Sequence, residues 1–106
     1  MSLDRKLKIY IAGPMRNIQD NNFPAFYAAE KELESRKIWN PVNPARMDDE
    51  LYADKEAIDY KEAMKRDLEE VFKCDAMYML NGWSKSQGAR VEHELAVYLN
   101  LYIMYQ

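Results

Sequence analysis

The sequence predicts a three-layer α/β sandwich around a mostly parallel sheet of roughly four to five strands. Three observations carry that expectation. Short β-rich runs alternate with longer segments of helical period along the 106 residues. Turn residues fall between the runs, with no long linker, low-complexity stretch or repeat. The three glycines stand after the first and third expected strands, where an α/β sheet opens its ligand crevice.

Leu7 to Ala12, Leu-Lys-Ile-Tyr-Ile-Ala, is a strand by its β-branched and aromatic content, ended by Gly13-Pro14. Residues 15–22 read as polar loop with a cap at Asn21 or Asn22. Phe23-Pro24 opens a helix to about Arg36, since proline is tolerated in a first turn. Ile38 to Val42 is a short strand, weakened by Pro41 and closed by Asn43-Pro44. Residues 45–55 read as an acidic loop whose Asp48-Asp49-Glu50 run is a solvated surface stretch. A helix follows from about Glu56 to Lys73, with Met64, Leu68, Val71 and Phe72 on one stripe. Ala76 to Leu80 is the third strand. Asn81-Gly82 turns the chain toward a helix spanning Val91 to Leu99, with apolar positions at Val91, Leu95, Tyr98 and Leu99. Leu101 to Met104 is a terminal strand.

Composition bounds the function classes. One domain over 1–106 fits this length, and 48% apolar with 31% charged residues is ordinary for a globular protein. A net charge of −3 offers no basic footprint for duplex nucleic acid. No apolar run approaches a membrane span, and no cleavable signal is evident. The lone Cys74 reads as a small buried thiol beside a strand, which fits a reducing cytoplasm. Met1-Ser2-Leu3 has the look of a cloning remnant and is given no structural role.

Glu92 is the informative residue. It falls at i−3 to Leu95 and i−4 to Ala96, so it points with the buried stripe. Asp67 lies at i+3 to Met64 and i−4 to Val71, also beside an apolar stripe. Tyr10 is near the carboxyl end of the first strand. Two inward carboxylates with a phenol nearby suit glycosyl transfer, which needs a nucleophile for an anomeric carbon and an acid for the leaving group. Ser86 and the backbone around Gly88 are placed to hold a hydroxyl or phosphate at a helix start. The plain alternatives stay open: a helix-surface Asp67 paired with Lys65 or Arg66, a structural Glu92, and a core Tyr10. His93 and Glu94 diverge by about 100° on a helix and cannot share a metal. Trp83 is either a stacking surface for a base or a partly buried loop residue.

Ile9-Tyr-Ile-Ala-Gly-Pro-Met15, Arg66-Asp-Leu68, Cys74-Asp-Ala76 and Gly88-Ala-Arg-Val-Glu-His-Glu-Leu-Ala96 together resemble the nucleoside 2-deoxyribosyltransferase superfamily. That superfamily includes the deoxynucleoside monophosphate N-glycosidases. The chain looks still more like a phage- and prophage-associated domain family of unknown function sharing the fold. The resemblance implies a flavodoxin- or Rossmann-like sheet, and a nucleoside or nucleotide as partner. It also implies that no cofactor or metal is needed, and a homodimer or higher homo-oligomer in which a neighbour completes the site. Tyr98, Tyr102, Met104 and Tyr105 give a C-terminus suited to such an interface. Carried over by position, Glu92 matches the residue that attacks C1′ of the deoxyribose. Asp67 matches an aspartate that protonates the departing base, and Tyr10 the strand-end tyrosine that orients the nucleophile. Ser86 and Gly88 match the segment at the 5′ end of the sugar, and Gly13, Met15, Arg16 and Asn17 a substrate-contacting loop. Relatives keep a glycine where this chain has Arg90 and a tyrosine where it has Val91, so Arg90 either faces out or narrows the pocket. A non-catalytic nucleotide-binding or sensor module, or a protein-interaction domain, would carry the same pattern without turnover.

Overall fold

The computed structural model describes residues 6–106; the first five, Met1-Ser2-Leu3 among them, lie outside the described residues. The element order is β1 (Leu7–Ala12), α1 (Phe23–Ser35), β2 (Trp39–Val42), α2 (Pro44–Leu51), α3 (Tyr60–Phe72), β3 (Ala76–Met79), α4 (Gln87–Tyr98) and β4 (Tyr102–Tyr105). The four strands form one sheet in the order β2-β1-β3-β4, parallel at every pairing. β1 and β3 are central and leave in opposite directions across the sheet, so the switch point lies at their carboxyl ends.

Alternation along the central strands builds two cores. Ile9 and Ile11 of β1, with Ala76, Tyr78 and Leu80, face α1 and pack on Phe23, Phe26, Ala29 and Leu33. Tyr10 and Ala12, with Met77 and Met79, face the opposite layer and pack on Val71 and Ala96. Cys74 is buried in that second core, as expected. No helix among the described residues is long and apolar enough to cross a membrane.

Several expectations are corrected. Residues 45–55 are not a solvated acidic loop, because α2 occupies Pro44–Leu51. Asn43 caps it, its Oδ1 accepting from Ala45 N at 2.9 Å, and Pro44 sits in the first turn. Asp48 is only 2% exposed, and Tyr27 Oη donates to Asp49 Oδ2 at 2.5 Å. The next helix begins at Tyr60 rather than Glu56, since Asp59 caps it by accepting from Lys61 N and Glu62 N. Its buried stripe is Ala63, Asp67 and Val71, at i, i+4 and i+8, which leaves Phe72 62% exposed. α4 begins one turn earlier than Val91, and its buried stripe is Ala89, Glu92 and Ala96; Val91 and Tyr98 are exposed. Asn22 precedes α1 but does not cap it. Its φ of 60° is left-handed, and its Nδ2 donates to Pro14 O at 2.9 Å. That bond ties the loop after β1 to the start of α1.

Gly13 leaves β1 where the backbone runs against β3. A Cβ there would stand 2.8 Å from Leu80 Cβ and 2.8 Å from Leu80 Cδ1. Gly13→Ala is expected to destabilise the protein by about 1–3 kcal/mol, the range of an overpacked core site. Urea unfolding checks this; an unchanged midpoint would show that Leu80 yields freely.

Candidate active site

The strand alternation that sends Tyr10 toward α3 and α4 buries it completely. Its hydroxyl donates to Glu92 Oε2 at 2.6 Å. Glu92 arrives from α4, whose start is fixed by Ser86: the side-chain Oγ accepts from Ala89 N at 3.2 Å. Asp67 arrives from α3. Both expectations for it hold in part, for it does pair with Arg66, yet it is 8% exposed and faces inward. Arg66 Nε and Nη2 donate to Asp67 Oδ1 at 3.1 and 2.8 Å, and Nη2 also donates to Asp48 Oδ1 at 2.7 Å.

A cavity of about 1040 Å³ opens beyond the carboxyl ends of β1 and β3. It is at the upper end of small-molecule sites. Asp67 and Glu92 line it, as do Gly13, Met15, Arg16, Asn17, Ser86 and Gly88. Every expected substrate-contacting residue therefore borders one space, and all three glycines lie on its wall. Tyr10 is not on the wall but beneath it, and reaches the site through Glu92. Sequence reasoning missed Asp48, Lys61 and Lys85, which line the same cavity. Asn43-Pro44, a cap followed by a first-turn proline, signals the helix that carries Asp48 but not the burial of its side chain. Arg16 is steadied at the rim by the Tyr60 ring, 3.9 Å below its guanidinium carbon.

Burial sets the electrostatics. It pushes the Glu92 carboxyl up to about 8; the charge of Asp67 adds to this, against the Tyr10 hydrogen bond and Arg66. Burial also raises Asp67, to about 6, despite the hydrogen bonds and charge of Arg66. Asp48 rises for the same first reason and is relieved by Arg66. Burial works against the Arg66 charge, but Asp67 and Asp48 outweigh it and hold the guanidinium above its usual range. Tyr10 is pushed well above 10 by burial and then by Glu92, so the phenol is a fixed donor at neutral pH.

The remaining sequence candidates fall away from the floor. Trp83 stacks on His93 with centroids 4.3 Å apart, and His93 Nε2 lies 2.8 Å from Tyr105 Oη. Arg90 is exposed and outside the cavity wall, whereas Val91 borders it. Arg90 thus faces out rather than narrowing the pocket.

A family model described as a domain of unknown function, DUF4406, matches residues 7–105. The chain belongs to this family. Among solved structures, the family fold seen here is similar to a chain described as 2-desoxiribosyltransferase from Leishmania mexicana, with a TM-score of 0.66 and 23% sequence identity. The match covers 95% of this chain and 63% of that one, so the family domain spans less than two thirds of that relative's length. At this identity the likeness establishes a shared fold. Comparison with curated proteins yields no match.

Glu92 links the site to stability. Its folded-state value of about 8 lies above its ordinary 4.5, so the folded protein holds a proton that the unfolded chain releases. The associated stability is complete below 4.5 and is lost as pH rises through 8. Glu92→Gln keeps an oxygen acceptor for Tyr10 and removes the charge. The substitution is expected to raise Tm by about 4–8 °C at alkaline pH, the effect of roughly 1 kcal/mol in a domain this size, and to have little effect in acid. Thermal melts across pH decide it. A variant less stable than wild type at alkaline pH would mean that the buried charge is well compensated.

Proposed function

We propose that this protein cleaves the N-glycosidic bond of a 2′-deoxyribosyl compound, a nucleoside or nucleotide, through a glutamate nucleophile. The observation that carries the reading is the cluster at the cavity floor. Two buried carboxylates on different helices, one held by a fixed phenol donor at 2.6 Å, border one space beside the strand ends. The shared fold with a 2-desoxiribosyltransferase supports the same chemistry.

In this reading the Glu92 carboxylate attacks C1′ and the bond to the base breaks. The departing base takes the proton from Asp67, leaving a glycosyl ester on Glu92. Water or a second base then displaces the carboxylate while Asp67 recovers a proton from the incoming nucleophile. Two inversions give retention at C1′. Tyr10 orients Glu92 by donating to Oε2, which leaves Oε1 for the sugar carbon. The first step needs Glu92 ionised and Asp67 protonated, so the pair must carry one proton. That proton rests mainly on Glu92, and the reactive form is the minor tautomer of the singly protonated pair. Because the two groups interact, the pair titrates as a unit, near 6 and 8.

Arg16, Lys61 and Lys85 line the same cavity and are exposed, whereas the two carboxylates are buried. Three cations over an acidic floor suit a substrate whose sugar lies deep and whose phosphate lies at the rim, with Ser86 and Gly88 beside it. The exposed Tyr98, Tyr102 and Tyr105 suit contact with a second copy of the chain, in the manner of an oligomeric site.

A chromatographic base-release assay over deoxynucleosides and their 5′-monophosphates tests this. Glu92→Ala is expected to lose at least about 10³-fold in kcat, as removal of a nucleophile does. A variant of near wild-type activity would remove Glu92 from the role. The rate should follow a bell with its plateau between about pH 6 and 8. Below that window both carboxyls are protonated and no nucleophile is available, and above it both are ionised and no acid is left. A rate that climbs steadily into alkali would contradict the shared proton.

A further inference from the structure

The reaction above asks Asp67 to hold one oxygen toward a leaving base. Resting on that reading, we propose that Asp48 and Arg66 form a positioning clamp: Asp48 fixes the Arg66 guanidinium, and the guanidinium fixes one oxygen of Asp67 so that the other faces the substrate.

The hydrogen-bond pattern is selective. Arg66 donates twice to Asp67, from Nε and from Nη2, and both bonds fall on Oδ1. A guanidinium frequently takes a carboxylate in a fork, one nitrogen to each oxygen. Here it grips a single oxygen and leaves Oδ2 unengaged by the arginine. Nη2 is held in turn by Asp48 Oδ1 at 2.7 Å, and the Asp48 side chain is 2% exposed.

Asp48 is itself fixed. α2 is tied to α1 by the pairing of Arg46 with Glu30 and by the bond from Tyr27 Oη to Asp49 Oδ2. Its start is set by the Asn43 cap. The clamp thus connects a helix with no expected role to the acid of the site. A merely stabilising function explains it poorly, because buried ion pairs barely offset their own desolvation. One guanidinium among three buried carboxylates is costlier still.

The groups facing Asp67 are Tyr10 from β1, Asp48 from α2, Arg66 from α3 and Glu92 from α4. Arg16, Lys61 and Lys85 also line the cavity. Substituting the two clamp residues therefore moves Asp67 in opposite directions. Asp48→Asn retains an oxygen for Nη2 but removes a negative neighbour, so the Asp67 midpoint falls. Arg66→Gln removes the positive neighbour, so the midpoint rises. Arg66→Lys keeps the charge and loses the rigid donor geometry. Its midpoint stays near wild type while its kcat drops.

Carboxyl-carbon NMR titration of the full chain, without any ligand, reads the midpoints, and base release reads kcat and KM. The expected result is opposed midpoint shifts for Asp48→Asn and Arg66→Gln. Losses of about tenfold or more in kcat should accompany both Arg66 substitutions with KM within about twofold, since misplacement of a reacting group costs on this scale. Asp48→Asn with an unmoved Asp67 midpoint, or Arg66→Lys with wild-type kcat, overturns the clamp. Should Arg66→Gln not fold, those two variants decide the matter alone. Wild-type protein that releases no base defeats the glycosidic reading, while the titrations still judge whether Asp48 and Arg66 control Asp67.

Discussion

Three carboxylates are buried around one guanidinium at the carboxyl edge of the sheet, and much of the local architecture follows from keeping that arrangement tolerable. Asp48, Asp67 and Glu92 come from three separate helices and are each less than a tenth exposed. Arg66 neutralises the first two by direct contact, and Tyr10 supplies a neutral donor to the third. Removing water from a carboxylate costs several kcal/mol unless a partner replaces it. The cost is met by geometry: capped helix starts, a central strand of fixed alternation, and ties between helices that hold each side chain against its partner. The residual imbalance is what raises Glu92 and Asp67 above their ordinary range. Such pairs are how a protein keeps a base and an acid available together near neutral pH.

The sheet supports this by leaving its edge open. With parallel strands in the order β2-β1-β3-β4, helices cover both faces, and the cavity opens at the carboxyl ends of β1 and β3. Gly13 permits β1 to exit closely past Leu80, and Asn22 holds the loop after it by bonding the Pro14 carbonyl. Four residues of that region, Asn17, Asp20, Asn21 and Asn22, adopt positive φ, a conformation in which Asn and Asp are the least disfavoured side-chain-bearing residues. The loop is rich in asparagine because its path demands it.

Much of the fold was legible because its signals were local. β1 matched Leu7–Ala12 at both ends, and the glycine positions located the crevice. The inward direction of Glu92 was legible too, though by a stripe different from the one expected: Ala89 and Ala96 flank it, while the bulkier Val91 and Tyr98 face out. Small residues are what let α4 approach the sheet closely, and a reading weighted to large apolar side chains picks the wrong stripe. The same bias placed Phe72 inside α3. Asp48 was not legible for a different reason. A run of three acids reads as solvated, and only the Arg66 contact, 18 residues distant, shows otherwise. Pairing of buried charges is a tertiary fact that periodicity does not encode.

The position of Arg90 shows why a departure from a motif need not alter a site. Successive helix residues turn by about 100°, so 88, 91 and 92 share a side while 90 lies across the axis from it. Gly88, Val91 and Glu92 border the cavity, and Arg90 is exposed. At Gly88 a Cβ would meet Met64 Cε at 3.1 Å, a flexible tip that can withdraw, so that glycine widens the wall rather than preventing a clash. Residue 90 is therefore free to change without touching Glu92, whereas residue 91 shapes the mouth of the cavity. Val91 offers a wholly apolar surface there, and the polar groups of the surrounding wall are those of Arg16, Lys61, Lys85 and Ser86.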